Sequence, residues 1–155
     1  MSTQNTDLAN GQQTITNYDL SKIFVFQNRY ETRQLVNSEY NPMTLLAGTV
    51  MGAIKGTGTS TALPTLFPCT ASATDGSQYP VGILAADILI QDGTTVSVPI
   101  CTLGDVVKNK IIFWNAPTDT FSSVPSGGNR AMYDEIAGLG IKIVDNTEND
   151  YVDNQ

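Results

Sequence analysis

The chain has no histidine and only two cysteines among its 155 residues. Without histidine there is no Ser-His-Asp or Cys-His nucleophile, and the commonest zinc ligand is missing. Cys69 and Cys101 show no C-x-x-C spacing, so a structural zinc site lacks ligands and no metal is expected. With no visible secretory leader, the two read as reduced core thiols rather than a disulfide. Basic residues are also scarce, eight against fifteen acidic ones, for a net charge of −7 and a pI near 4.2. Sequence-neutral binding of nucleic acid needs a clustered Lys/Arg footprint. The closest lysines, Lys108 and Lys110, read as a solvated turn, so nucleic acid is not an expected partner. No apolar run approaches the roughly 18 residues of a membrane span. The start, MSTQNTDLAN, has neither the basic nor the apolar region of a signal peptide. No N-x-S/T sequon occurs.

Thr, Ser, Asn and Gln fill the gap left by 41% hydrophobic and 15% charged residues. That balance suits a mainly β protein, a small barrel-like or sandwich-like domain, better than an amphipathic helical one. A chain this long buries roughly 70% of its unfolded surface and folds without a staple. Its organising stretch is DGSQYPVGILAADILIQDGTTVSVPIC, residues 75–101. Asp75-Gly76 and Tyr79-Pro80 open it with a turn and extended backbone. An apolar run from Val81 to Ile90 follows, and Asp92-Gly93 is the pair expected in a tight two-residue hairpin. Val96, Val98 and Ile100 then alternate with polar residues as in a strand buried on one face. Pro99 lacks a ladder donor, so this strand is expected to be an edge or to end there.

Before that stretch, residues 1–18 form a polar arm that cannot bury enough apolar area to offset roughly 1–2 kcal/mol of backbone entropy per ordered residue. Such an end is ordered only when something ties it down. Ile23–Phe26 reads as a short strand, and NRYETRQLVNSEY after it as strand or short helix. Residues 45–54 read as one strand in which Gly48 and Gly52 mark bulges or close packing. Residues 56–62 form a flexible loop, and 63–69, with two prolines, an extended edge. Further on, Leu103-Gly104-Asp105 is expected to turn the chain and Ile111–Trp114 to add a strand. Residues 115–129 (NAPTDTFSSVPSGGN) are a long surface loop, with Trp114, Phe121 and Pro125 as candidate outward contacts. Asn129 is the expected N-cap of one short helix that buries Met132 and Ile136 and ends at Gly138. Ile141–Val144 is the last strand. The domain thus spans residues 19–144, followed by an acidic tail, 145–155.

Catalytic and cofactor signatures are weak. In GAIKGTGTS, Lys55 precedes its glycine, whereas a phosphate loop needs Gly-Lys-Ser/Thr, so no cofactor is expected. Asp87 interrupts an apolar run; a carboxylate there faces solvent or is paired, and solvent at an inter-strand bend is the reading adopted. Nothing points to an enzyme.

The pattern from residue 44 to residue 144 resembles the head decoration proteins of tailed bacteriophages, the family of the phage lambda capsid-stabilising protein. The resemblance covers about two thirds of the chain. Its carriers are Leu46-Ala47-Gly48-Thr49-Val50-Met51, Ala73-Thr74-Asp75-Gly76, Pro80-Val81-Gly82-Ile83-Leu84-Ala85, the strand Val96–Ile100, and Leu139-Gly140-Ile141. Residues 20–40, the 115–129 loop and the acidic tail fall outside it. The resemblance implies a homotrimer, made in the host cytoplasm, that caps three-fold sites on the capsid exterior of the virion. Its partner would be the major capsid protein, to whose sheet the N-terminal arm adds a strand. The arm's own composition fits that role: Thr14, Ile15, Thr16 and Tyr18 are its strand-prone contacts, and main-chain hydrogen bonds would give the affinity.

Two other readings compete. A head-fibre base or adhesin-like β module would present the 115–129 loop to a head-fibre protein or a glycan. A carboxylate-dependent hydrolase would centre on Asp87.

Overall fold

The structure, a computed structural model, describes residues 23–37, 41–54 and 64–145, with the backbone of residues 5–7 and 12–14. It is mainly β, a small closed barrel with one helix, as the composition predicts. β1 (Asn5–Asp7) and β2 (Gln12–Thr14) pair antiparallel in a sheet of their own. β3 (Phe24–Val36) follows, then β4 (Met43–Leu45), β5 (Val50–Ile54) and β6 (Thr65–Pro68). After these come β7 (Pro80–Leu84), β8 (Ile88–Ile90) and β9 (Thr95–Val107). A 3-10 turn at Lys108–Lys110, helix α1 (Met132–Gly138) and β10 (Ile141–Val144) complete the described chain.

Five strands, in the order β9-β3-β6-β5-β7, make the barrel wall, and pairing of β7 with β9 closes it. β10 runs parallel to β9 on the outside of the ring, and β4 pairs only with β8. Adjacent apolar residues explain the closure. Leu35, Met51, Leu66, Leu84, Val98 and Ile100 come from all five strands and pack together as the interior; Met43, Leu45 and Ile90 of the β4–β8 pair join them at one end. The neighbours Val50, Ile83 and Cys101 point the opposite way, into an outer layer with Phe113, Met132, Ile136 and Ile141. Successive side chains of a strand face opposite sides, so the doublets Val50-Met51, Ile83-Leu84 and Ile100-Cys101 bury both faces of the wall.

Several expectations are corrected. The Asp92-Gly93 turn forms, with Gly93 at φ +64° and Thr94 N donating to Gln91 O at 3.3 Å. It does not join two paired strands, because β8 takes β4 while β9 is committed to β3 and β7. β9 does not end at Pro99, but its pairing with β7 does: the last pair is Leu84 with Ile100, and residues 95–99 keep β3 alone as a described strand partner, an edge on the other side as Pro99 predicts. Its Pro99 O accepts from Ala85 N at 3.0 Å, and an extended residue directs both its backbone groups to one side. The missing N–H therefore falls where β7 has run out. Gly104 does not turn the chain either: at φ +126° it lets β9 continue across Asn28, whose Cα lies 2.7 Å from where a Cβ would stand. β6 is no edge, since β3 and β5 flank it. Residues 45–54 split into β4 and β5 around a turn at Ala47-Gly48.

The segment 27–36 is strand throughout, with register shifts near Gln27 (φ +48°). Ile111–Trp114 forms no strand, only a bridge from Ile112 to Thr49, while Phe113 packs into the outer layer. The N-cap of α1 is Ala131, not Asn129; the helix does end at Gly138, and Gly140 (φ +95°) closes the turn after it.

Gly104→Ala should destabilise the protein by about 2 kcal/mol or more, through positive φ and the Asn28 contact together. Leu35→Ala, at a fully buried interior site, should cost about 2–5 kcal/mol. Urea unfolding midpoints measure both.

Candidate functional site

The long loop after the 3-10 turn is anchored rather than free. Asp119, 4% exposed, accepts from Ala71 N at 3.1 Å. Ser126 N donates to Ala71 O at 2.7 Å, and Ser126 O accepts from Gln78 Nε2 and the Tyr79 hydroxyl, each at 3.3 Å. The loop is thereby tied to the β6–β7 connection. Of the candidate outward residues, Trp114 is exposed, at 45%. Phe121 is not: it is half-buried against the outer layer, edge-to-face with Phe113 at 5.1 Å and with Tyr133 at 6.1 Å. Pro125 is buried. An aromatic and a proline in a polar loop serve as its anchors here, and Val124, 50% exposed, is the outward residue missed. Asp119 was missed too, because an aspartate beside threonines in a loop carries no local mark of burial.

Of the arm residues, Thr14 lies in β2, while Ile15, Thr16 and Tyr18 fall outside the described residues, as does Lys55. Asp87 is exposed at the bend between β7 and β8, where its Oδ1 accepts from Ala47 N at 2.7 Å. That bond holds the start of the β4–β5 turn, a structural task. Asp75 does similar work at its own bend. The Ser77 hydroxyl and amide donate to its Oδ1 at 2.6 and 2.9 Å, and they hold its carboxyl below the usual range.

Both thiols are free and buried. Cys69 donates to Gln78 O at 3.4 Å. Burial, assisted by the Asp119 carboxylate, pushes this thiol from 9.0 up to about 12. It remains a thiol at neutral pH, the opposite of what a nucleophile requires. Among the described residues no cluster of three or more Cys, Asp or Glu side chains could hold a metal ion. No described helix is long and apolar enough to cross a membrane.

A feature not foreseen in the sequence is the edge of β10 that no described strand pairs. An open groove of about 340 Å³ runs there between β10 and α1, lined by Tyr133, Ala137, Gly140, Ile141, Lys142 and Ile143. Exposed Leu103 and Tyr133 adjoin it, with Leu103 against Gly140. This arrangement can seat an extended segment but holds no reacting pair. Scanned against protein-family models the chain matches none, and no curated protein matches it.

Asp119→Ala strips the partner from a buried amide and should lower stability by about 1–3 kcal/mol, read from the urea midpoint. In the native protein at pH 8, neither thiol should react with DTNB, and both should react after unfolding in guanidinium.

Proposed function

We propose that this chain is a structural virion protein, not an enzyme, that decorates the outside of a phage capsid and stabilises it against the pressure of packaged DNA. The observation that carries the reading is the separation of the N-terminal ladder from the barrel. β1 and β2 pair with each other and with no strand of the other two sheets. Two three-residue strands are too small to be stable alone, and their edges suit a strand from a capsid subunit, where backbone hydrogen bonds supply the affinity. The resemblance of residues 44–144 to decoration proteins points the same way, and with it comes a homotrimer at three-fold sites. Three arms on one trimer bind far more tightly than one, through effective concentration. An acidic surface, at net −7, avoids capture of nucleic acid.

One observation favours a second reading. Trp114 and Val124 stay exposed on an anchored loop, as a head-fibre base or adhesin-like module would present them. Replacing both with serine would then abolish binding to a fibre protein or glycan and leave capsid binding intact.

Deleting residues 1–18 should abolish co-sedimentation with expanded capsids while circular dichroism and the melting temperature of the barrel stay unchanged. Undiminished co-sedimentation would sink the decoration reading as stated.

A further inference from the structure

Two of the large apolar side chains that stay exposed among the described residues, Leu103 and Tyr133, meet at one place. Leu103 of β9 lies against Gly140, with its Cδ1 3.3 Å from where a Cβ would stand. Gly140 in turn lines the groove between α1 and β10, together with Tyr133 and Ala137 of the helix and Ile141 and Ile143 of the strand. Leu103, the groove and Tyr133 therefore make one continuous apolar surface across β9, β10 and α1. The Tyr133 ring is already held from behind, edge-to-face with Phe121 at 6.1 Å. A fixed, half-exposed aromatic ring beside a groove is the usual anchor of a protein contact.

The charges around this surface cancel. Arg130 Nε meets Glu135 at 4.0 Å, and Arg130 Nη2 donates to Asp134 O at 2.9 Å. Lys108 meets Asp145 at 3.2 Å just past β10. With Lys142 in the groove and Asp134 on α1, the bases and the acids are matched. That balance matters in a chain of net −7. The exposed Leu46 and Leu89 stand instead around Asp87, which holds Ala47 N, with Asp92 following in the chain. Two copies of so acidic a protein repel over most of their surface, and like charges set against each other across a contact cost affinity. Only a face whose charges balance escapes that cost, and a strongly charged partner gains nothing there. A second copy of this chain is the occupant that such a face fits.

We propose that this face is where two copies of the chain associate about a two-fold axis. The patch is then its own complement, as a two-fold contact requires: Leu103 and Tyr133 of each protomer cover the groove of the other. Tyrosine suits the task because it buries a large area while fixing only two side-chain torsions. The Arg130–Glu135 and Lys108–Asp145 pairs stay at the solvated margin, where they set register more than affinity. With two anchoring side chains from each protomer, the contact belongs with small, dissociating interfaces rather than permanent ones. It does not rest on the decoration reading, and it is separate from the three-fold contacts of the proposed trimer.

Sedimentation equilibrium on the whole chain tests this from about 10 μM to about 500 μM, a range that spans the affinities of such interfaces. The mass should rise with concentration toward an even multiple of the 16.6 kDa chain. Two variants are compared with it. Leu103→Asp sets a charge in the contact, and Ala137→Arg fills the groove from an exposed helix position that arginine suits. Each should weaken association about tenfold or more, with the circular dichroism spectrum unchanged. Should Leu103→Asp unfold the chain, Ala137→Arg alone carries the test. Amide NMR shifts that move with concentration should gather at Leu103, Tyr133, Gly140 and Ile143. A mass that stays constant over the range, or that neither folded variant lowers, would overturn the proposal. So would shifts gathered at Leu46 and Leu89, because the copies would then meet through the β4–β8 pair. Capsid binding by the arm is read separately and leaves each of these outcomes unaffected.

Discussion

Closure of the barrel depends on one short seam, where Ile83 and Leu84 of β7 lie opposite Cys101 and Ile100 of β9. Every other wall contact is a pairing that an open sheet could also make. At the seam a side chain on residue 82 would meet Cys101 O at 2.8 Å, so Gly82 is what lets the two backbones approach. Once the ring is shut, the wall has an inside and an outside, and both faces are apolar. The inside is filled by residues of all five strands. The outside then needs its own cover, which α1, β10 and the anchored loop provide. Helix and loop are thus consequences of the closure: an uncovered outer face would leave Val50, Ile83 and Cys101 in water, each giving up apolar burial of about 25 cal/mol per Å².

The irregular parts are ordered by single polar side chains that satisfy backbone groups away from the ladders. Asn37, 1% exposed, donates through Nδ2 to Asn41 O and Ile90 O, while its own carbonyl accepts from Gly93 N. It thereby pins the end of β3 to the end of the β4–β8 pair where Met43 lies opposite Ile90. Asp87 at the β4–β5 turn and Asp119 at the long loop act alike. A buried backbone group without a partner costs about as much as a lost hydrogen bond, so these few residues determine which loops are firm.

The legible parts of this architecture were those with a local physical signature. Alternating and doubled apolar residues marked β5, β7, β9 and β10, and the Met132–Ile136 spacing marked the helix and its buried face. Absence of histidine, with cysteines at non-motif spacing, identified Cys69 and Cys101 as core thiols. Where the reading failed, a local signal was correct and its partner was not. Asp92-Gly93 does turn, yet the strands it links pair elsewhere. Pro99 does lack its donor and the β7 ladder does stop before it, yet β9 runs on along β3. Gly104 does take positive φ, but to pass Asn28 inside a continuous strand.

By itself, then, the sequence determined that this protein is built from strands, that both faces of several are apolar, and that histidine-based chemistry is closed to it. Those properties reside in residue types and their spacing, and a single chain displays them. Only the tertiary structure decided which strand lies beside which, which aspartates are anchors, and that a groove opens between β10 and α1. Pairing is a contest among edges far apart in the chain, settled by joint burial that no local stretch encodes.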